Sequence, residues 1–595
     1  METNEGRDLI GISRFINELR RRNVVRSGAA YAVSVWLLIQ VSDILLGTFA
    51  APAWVMRGVV IALAVGFPIV LLLSWLYEIT TQGVKRTEQV SEAESISVHK
   101  GRKIDFAIIG VLMVAVALFA AERFRFIDFG TQPSSSLRSI AVLPFENLSG
   151  DIAQEYFSDG MTETLITELS RIAALRVISR QTTDQLKGTS KSIPEIGRQL
   201  NIDAVVKGSA LLIGERVRIT VQLIEAATDV NVWANSFDRE SRDVLALHGD
   251  VARAIAQEIQ IVVTPEEAAR LAKVREVNPE AHRLYLLGRY HGHKFELADK
   301  EKAIQYFRQA IELDPQYAEA FVGLGDIYGE TAFYGSARPQ DLWERCRAAA
   351  ARALEIDSDL AGGHLQYATV ALYFDWKWEK AEEKFRQAIS LNPNFAQAYQ
   401  FFAWHLIAMG RTEEAENSIG RTLQLDPLAK FAFMTASDVS YFSGHYDQAI
   451  ARLQEALDLS RDNPIALSRL GWSYVQKGMF NEAISNMEQA VTILPHEPEL
   501  SWMLGHAYAV AGKTAEARKI LDGLHRLAEQ RYVLPYGFAV IHVGLGEYDE
   551  ALEWLEKAYE ERNSWMPFIQ VEPRLDPLRS DPRFQDLLRR MNLSG

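Results

Sequence analysis

The sequence predicts a multidomain protein in which three transmembrane helices precede an α/β domain and an all-α solenoid of helical repeats. Three observations predict this fold class: long apolar segments near the start, alternating strand and helix patterns after them, and a 34-residue period in the C-terminal half. A chain of 595 residues is too long for one hydrophobic core, so several domains are expected.

The first part of the chain is predicted to be a membrane anchor. Residues 1–23 carry apolar side chains at helical spacing before a run of arginines, which predicts a cytoplasmic amphipathic leader. Apolar runs at 24–47, 54–77 and 104–121 are each long enough to cross ~30 Å of hydrocarbon, and this predicts a three-span anchor over 24–121. Residues 122–138, rich in serine at their end, are predicted to be a linker.

The charge distribution around these runs predicts an orientation. Lysine and arginine concentrate in the leader and in the loop at 78–103, and few follow on the other side. The positive-inside rule then places the N-terminus in the cytoplasm and everything after residue 121 across the membrane. In a bacterium this predicts a multi-pass inner-membrane protein with periplasmic C-terminal domains and the lipid bilayer as a partner.

Residues 139–264 are predicted to form an α/β domain. Strand patterns alternate with amphipathic helix patterns, and the last three strands are predicted to pair antiparallel in sequence. The predicted strands are 139–145, 175–180, 204–213, 216–224 and 230–237, and the predicted helices are 155–172, 193–200 and 244–262.

Six sequence blocks within this domain resemble the TolB-like/FlgO-like domain of bacteria. They occur in the same order as in that family, at 140–149, 157–163, 175–180, 206–209, 217–223 and 233–239. The resemblance implies that repeats follow the domain. It also implies that a variable module precedes it: a winged-helix DNA-binding domain, a kinase, a nucleotide cyclase or membrane spans only. The short cytoplasmic segments predicted here leave no room for a folded effector domain.

Two columns of small residues define the period of the C-terminal half. Each column repeats in steps of 34 residues: Ala381, Ala415, Ala449, Ala483, Ala517 and Ala551, and Gly410, Gly444, Gly478, Gly512 and Gly546. This length and pattern resemble the tetratricopeptide repeat (TPR), a helix-turn-helix unit. The resemblance implies an array of about eight repeats over 278–563 and a C-terminal cap over 564–595.

Composition and motifs argue against several functions. The net charge of −14 argues against a nucleic-acid surface, which needs clustered lysine and arginine. The single cysteine, Cys346, excludes an internal disulfide and is predicted to be a buried packing residue. The one close histidine pair, His291 and His293, lacks a third ligand, so surface histidines are preferred to a metal site. No catalytic, cofactor-binding or metal-ligating set is predicted, no small-molecule substrate is evident, and the protein is not expected to be an enzyme.

The first helices of the repeats are predicted to line a groove that binds proteins or peptides. Aromatic and amide side chains suit this role because they bury a large surface area and still offer polar groups for hydrogen bonds. The predicted partner-binding residues are Gln366, Tyr373, Gln400, Trp404, Asp438, Tyr441, Trp472, Trp502 and His506. The alternative for each aromatic residue is packing between neighbouring repeats.

The leading functional prediction is a non-enzymatic, inner-membrane-anchored scaffold that presents the α/β domain and the repeat groove to periplasmic partners. The alternative is a signal-transduction component that couples periplasmic binding to a cytoplasmic regulator or cyclase. Extra residues near 329–339 and 374–378 interrupt the 34-residue period. They form a second candidate contact surface.

Overall fold

The computed structural model describes residues 137–593, except 215, 241–242, 273–276, 295, 334–337 and 496, together with short stretches between 31 and 86. The chain divides into two compact units, Met1–Pro133 and Ser134–Gly595. The predicted leader, the predicted third span at 104–121 and most of the predicted linker lie outside the described residues.

The prediction of three transmembrane helices is wrong. Among the described residues, no helix combines the length and the apolar character that a bilayer crossing requires. The described helical residues near the first two predicted spans fall between 31 and 39 and between 60 and 69. The second predicted span ends at Tyr77, which instead begins the strand Tyr77–Thr80 (β1) that pairs antiparallel with Gly83–Arg86 (β2).

The same finding contradicts the predicted localisation as a multi-pass inner-membrane protein with periplasmic C-terminal domains. The periplasmic orientation and the bilayer as a partner depended on those spans. An apolar run by itself does not fix a membrane crossing, because the helix must also continue through the whole hydrocarbon thickness.

The α/β domain contains a six-stranded mixed sheet in the order β5-β3-β6-β7-β8, with β4 paired to β6. The first strands pair parallel, and β6, β7 and β8 pair antiparallel as the sequence predicts. The strands are β3 (Ser139–Val142), β4 (Glu146–Asn147), β5 (Arg176–Val177), β6 (Ala204–Ile213), β7 (Arg216–Glu225) and β8 (Val230–Glu240). Strand β5 is shorter than predicted because a helix begins at Arg180.

Helices cover both faces of this sheet. Helices α1 and α4 pack on one face through a large apolar cluster, and α3 packs on the other through a smaller one. The helices of this region are α1 (Glu155–Ser170), α2 (Arg180–Asp184), α3 (Ile193–Leu200), α4 (Val244–Glu258) and α5 (Pro265–Ala272).

Eight helix pairs follow and form the solenoid. Within each pair the two helices pack against each other, and each pair packs against the next. The pairs are α6 (Pro279–Gly292) and α7 (Leu297–Leu313), α8 (Ala318–Phe333) and α9 (Pro339–Ile356), α10 (Ala361–Val370) and α11 (Trp378–Leu391), α12 (Ala396–Ala408) and α13 (Thr412–Leu425), α14 (Lys430–Phe442) and α15 (Tyr446–Leu459), α16 (Pro464–Gln476) and α17 (Phe480–Ile493), α18 (Pro498–Val510) and α19 (Thr514–Ala528), and α20 (Pro535–Leu545) and α21 (Tyr548–Glu560). A last helix, α22, spans Pro582–Arg590.

The two columns of the sequence have different structural roles. All six alanines are fully buried where the paired helices meet, because only a small side chain allows so close an approach. The five glycines end the first helices with φ between 71° and 77°, in the left-handed region that disfavours other residues. One column therefore sets the helix packing and the other sets the turn.

The interrupted repeats are described in part. Residues 334–337 of the predicted second contact surface lie outside the described residues. The other insertion lengthens α10 into a π-helical turn, Ala371–Asp375, which ends at Trp376 in the left-handed conformation. Cys346 is a free cysteine and fully buried, as predicted, and burial raises the pKa of its thiol.

Candidate functional site

The inner groove of the solenoid, formed by the first helices α8, α10, α12, α14, α16, α18 and α20, contains a segment of the chain's own C-terminus. This C-terminal segment, residues 563–578, follows α21 and makes two 3-10 turns, Met566–Phe568 and Pro573–Leu578. Its prolines at 567, 573 and 577 prevent a regular α-helix because they lack a backbone N–H. The segment therefore presents side chains in several directions at once.

Two aromatic residues of the C-terminal segment fill the middle of the groove. Phe568 is fully buried and packs edge-on against Trp404 at a centroid distance of 5.3 Å and parallel to Phe442 at 5.5 Å. Trp565 reaches further along the solenoid. It contacts Trp404, Trp472, Trp502 and Tyr536, with ring centroids between 5.5 and 6.5 Å apart.

A buried ion pair follows these aromatic rings. Arg574 donates to Glu572 through Nε at 2.8 Å and Nη2 at 2.6 Å, and both side chains are almost completely buried. The hydroxyls of Tyr441 and Tyr536 each donate to Glu572 at 3.3 Å. The Arg574 guanidinium also lies 4.2 Å from the ring centroid of Trp472. Burial alone would lower the pKa of Arg574, because it disfavours the charged guanidinium. The attraction of the Glu572 carboxylate is stronger than this effect, so the pKa of Arg574 is raised.

All nine predicted partner-binding residues are buried and belong to the first helices of the repeats, Tyr373 through the π-helical turn that extends α10. None is more than 9% exposed: Gln366, Tyr373, Gln400, Trp404, Asp438, Tyr441, Trp472, Trp502 and His506. Five of them touch the C-terminal segment directly: Tyr373, Trp404, Tyr441, Trp472 and Trp502. Their role in binding a separate partner stays a prediction.

The remaining four contact neighbouring helices. Gln366 Nε2 donates to Asp326 at 2.8 Å, and Gln400 Nε2 donates to the Thr435 hydroxyl at 2.8 Å. Burial lowers the pKa of His506 to about 3, so its imidazole is neutral. Gln366 and Gln400 therefore hydrogen-bond within the solenoid, and a role of these four residues in binding a partner stays a prediction.

Asp438 forms a buried ion pair with Arg469 and makes the stability of the protein depend on pH. Asp438 Oδ2 lies 2.9 Å from Arg469 Nη1. Burial raises the pKa of Asp438 to about 7, although Arg469 opposes the shift. The pKa of an aspartate in an unfolded chain is about 4, so the folded protein binds more protons than the unfolded chain between about pH 4 and 7. The contribution of Asp438 to stability is therefore present below this window and is lost as the pH rises through it.

We expect Asp438→Asn to remove this pH-dependent loss of stability. Its midpoint temperature of unfolding should therefore fall less between pH 5 and pH 8 than that of the unmodified protein. Thermal unfolding of the full chain across that range measures the difference. Asp522→Asn, at an exposed position of α19, is the matched control and should leave the pH profile unchanged. A profile that Asp438→Asn does not alter would contradict the titration of Asp438 in this window.

The sequence did not identify the residues that fill the groove. Trp565, Phe568, Glu572 and Arg574 fall in the predicted C-terminal cap, and Arg469 lies on a predicted groove helix without being selected. The clustering of aromatic residues and prolines between 565 and 577 is the feature that could have indicated an ordered segment. Its position inside the groove depends on contacts far apart in the sequence.

The α/β domain rests on the solenoid at the β5 edge of its sheet. The amide Nδ2 of Asn394, between α11 and α12, donates to the carbonyls of Ser170, Ile172 and Leu175 at 3.1, 3.3 and 2.7 Å. Its Oδ1 accepts from the Val177 backbone N–H at 3.3 Å. One buried side chain thus hydrogen-bonds four backbone groups at this edge of the sheet.

A second contact links α1 to the groove through charges. Glu163 forms ion pairs with Arg180 and with Arg289 of α6. Arg289 also pairs with Asp326 at 3.2 Å, and Asp326 accepts from the groove residue Gln366. Burial opposes the charge on Glu163, but Arg289 and Arg180 hold its pKa well below the usual value. A continuous polar network therefore runs from the α/β domain to the inner groove.

The described residues offer no group of three or more His, Cys, Asp or Glu that could hold a metal ion. A cavity of about 650 Å³ lies beside the carboxyl end of β3, and its lining includes Lys187, Lys191 and Lys207. Lys187 is paired with Glu155 at 2.5 Å and with Asp159 at 2.8 Å. Acidic side chains thus accompany the basic ones.

Family comparisons match parts of this chain. The model described as HilA/YgeH-like transcriptional regulator, second domain, matches residues 135–257, which is most of the α/β domain. Three TPR models match the solenoid, at 295–331 and 438–478, at 474–533 and at 536–564. The predicted resemblance to the TolB-like/FlgO-like domain is not among these matches and stays a prediction.

Two similar proteins differ in how much of this chain they match. Putative adenylate cyclase 3 of Rhizobium meliloti is 34% identical over 241 residues, which is 40% of this chain and 40% of that protein. Transcriptional regulator HilA of Salmonella typhimurium is 22% identical over 465 residues, which is 75% of this chain and 79% of that protein. The chain thus spans less than half the length of the cyclase.

Solved structures align with smaller parts of the chain. The pilF protein of Pseudomonas aeruginosa aligns with a TM-score of 0.29 and 20% identity, covering 35% of this chain and 91% of that one. A tetratricopeptide repeat protein of Parabacteroides merdae aligns with a TM-score of 0.34 and 16% identity, covering 46% of this chain and 100% of that one. With the three family models, the helix pairs and the two small-residue columns, the conclusion is that the C-terminal part of this chain is an array of TPR repeats.

Proposed function

We propose that this protein is a non-enzymatic scaffold that binds protein or peptide partners in the inner groove of its TPR solenoid. The observation that supports the proposal is the C-terminal segment itself, a short irregular peptide held in the groove by aromatic rings and a buried ion pair. TPR arrays present extended surfaces of this kind to partners. The expectations that the protein is not an enzyme and does not bind nucleic acid belong to the same proposal.

The contacts of the C-terminal segment define the partner that the groove would accept. Trp565 and Phe568 lie three residues apart and insert between aromatic residues of the groove helices α12, α14, α16, α18 and α20. Glu572 and Arg574 then match two tyrosine hydroxyls and an indole face. We therefore propose a partner peptide with two aromatic residues followed by an acidic and a basic residue at similar spacing.

Such a partner reaches the groove only when the C-terminal segment moves out. The segment and the partner compete for the same surface, so weakening the segment should strengthen partner binding by mass action. This competition keeps the groove closed to peptides that do not reproduce the aromatic contacts.

The test uses the full chain and a fluorescent peptide of residues 563–578. We expect Phe568→Leu, which retains much of the side-chain volume, to bind the peptide at least about tenfold more tightly than the unmodified chain, by fluorescence anisotropy. The matched control is Leu313→Ala at the exposed end of α7, where the side chain is 47% exposed. A peptide with alanine at both aromatic positions should not bind.

Thermal unfolding establishes first that the Phe568→Leu variant is folded. A folded variant that binds the peptide no better than the unmodified chain would contradict the groove as a peptide site. Turnover of a nucleotide by the purified full chain would contradict the non-enzymatic part of the proposal.

The second candidate is a signal-transduction component that passes groove occupancy to a regulator or cyclase. Two observations favour it: the polar network from Glu163 to Gln366, and the similarity to a putative adenylate cyclase and to a transcriptional regulator. A network that joins two packed domains can transmit a change only if both domains have two arrangements. The signal-transduction candidate predicts that peptide binding changes the activity of a separate regulator or cyclase, whereas the scaffold candidate predicts no such change.

A further inference from the structure

The edge strand β8 is the longest strand of the sheet, and its outer side pairs with no strand in the described part of the chain. It runs for 11 residues, Val230–Glu240, and pairs with β7 on its inner side only. A long edge strand presents a row of backbone N–H and C=O groups that can accept another strand. Most natural edges are short, covered or charged.

The opposite edge of the same sheet is protected in those ways. Strand β5 has only two residues, and Asn394 of the solenoid covers it. The Ser179 N–H, just after β5, donates to the Leu425 carbonyl of the solenoid at 2.8 Å. The contrast between the two edges indicates that the exposure of β8 is a specific feature of this domain.

The side chains of β8 also lack the usual protection. Its first eight residues, 230–237, contain no charged residue and no proline, and Val230 and Val232 are 56% and 42% exposed. The charged residues at its far end are occupied within the domain. Asp238 pairs with Arg218 at 2.9 Å, and Arg239 pairs with Asp250 at 3.2 Å.

The sequence of β8 is complementary to itself in the antiparallel direction. Full overlap of two copies places Asn235, the midpoint of the strand, opposite Asn235 of the second copy. Trp233 then faces Phe237 of the second copy on both sides of the axis, and such aromatic cross-strand pairs stabilise sheets. Asp238 faces Val232 and Arg239 faces Asn231, so no like charges are opposed.

We propose that two copies of this chain associate through their β8 strands, so that the two sheets become one continuous antiparallel sheet across a twofold axis. The half-buried rings of Trp233 and Phe237, which lie 6.4 Å apart within one copy, would meet their equivalents at the junction. A symmetric contact of this kind closes on itself and limits the assembly to a dimer. The proposal does not depend on the inner groove.

The oligomeric state of the full chain tests the association. We expect analytical ultracentrifugation to detect a dimer, and Asn235→Lys to weaken dimerisation about tenfold or more, because it opposes two lysines at the axis. Gln222→Lys is the matched control, since it adds the same charge at an exposed position of β7 that does not face the second copy. A chain that is monomeric at all concentrations, or a dimer that Asn235→Lys does not weaken, would overturn the proposal.

Disulfide trapping tests the register. The only cysteine, Cys346, is buried, so an introduced cysteine is the reactive one. Asn235→Cys should give a covalent dimer on oxidation, because facing Cα atoms in a sheet lie about 4.5–5.5 Å apart, within disulfide range. Val230→Cys should not, because its two copies would be about 34 Å apart. Equal crosslinking at both positions, or none at Asn235→Cys, would overturn this register.

Discussion

Phe568→Ala is expected to lower the free energy of unfolding by about 3–5 kcal/mol, the usual cost of emptying a fully buried phenylalanine site. The ring is fully buried between Trp404 and Phe442, and further rings surround it. The surrounding helices are fixed by their own repeat packing, so they cannot collapse into the space that the ring leaves. Chemical unfolding of the full chain, followed by tryptophan fluorescence, measures the loss.

Leu313→Ala provides the comparison, because it also truncates an apolar side chain but at an exposed helix end. Its effect should stay within about 0.5 kcal/mol. A similarly small effect for Phe568→Ala would mean that the C-terminal segment does not stabilise the solenoid in solution. The groove would then be open to partners without competition.

The repeat architecture was predictable from the sequence because it is encoded locally. Each 34-residue unit needs a small residue where its helices meet and a glycine where the turn requires positive φ, and both needs recur in every unit. The antiparallel strands β6 to β8 were predictable for a similar reason, since hairpin neighbours are adjacent in the chain. Local rules are sufficient where the partners are close in sequence.

The contents of the groove were not predictable by the same rules. The helical period places Trp404 and Trp472 on the inner face, but it does not say what covers them. Their contacts with Trp565 and Phe568 join residues about one hundred or more positions apart, outside any repeat unit. The membrane spans were predicted wrongly because apolar composition was taken as sufficient evidence for a long helix.

The buried pair of Glu572 and Arg574 gives the second large prediction. Arg574→Met should destabilise the protein by about 3–5 kcal/mol, because it leaves the Glu572 carboxylate buried with its charge uncompensated. The tyrosine hydroxyls of Tyr441 and Tyr536 would still donate to it, but hydrogen bonds at 3.3 Å do not replace a guanidinium with two contacts. Chemical unfolding of the full chain again provides the measurement.

The double variant Glu572→Gln with Arg574→Met separates the charge from the packing. The glutamine Oε1 can still accept from the Tyr441 hydroxyl and from the backbone N–H of residue 574, which both donate to Oε1 of Glu572. The glutamine Nε2 takes the place of Oε2 and can donate to the Tyr536 hydroxyl. With both charges removed, no ion is left unpaired, so the double variant should be more stable than Arg574→Met alone. If the losses in free energy of unfolding of Glu572→Gln and Arg574→Met are additive in the double variant, they come from lost packing around Trp472 and Trp502. In that case the ion pair does not hold the C-terminal segment in the groove.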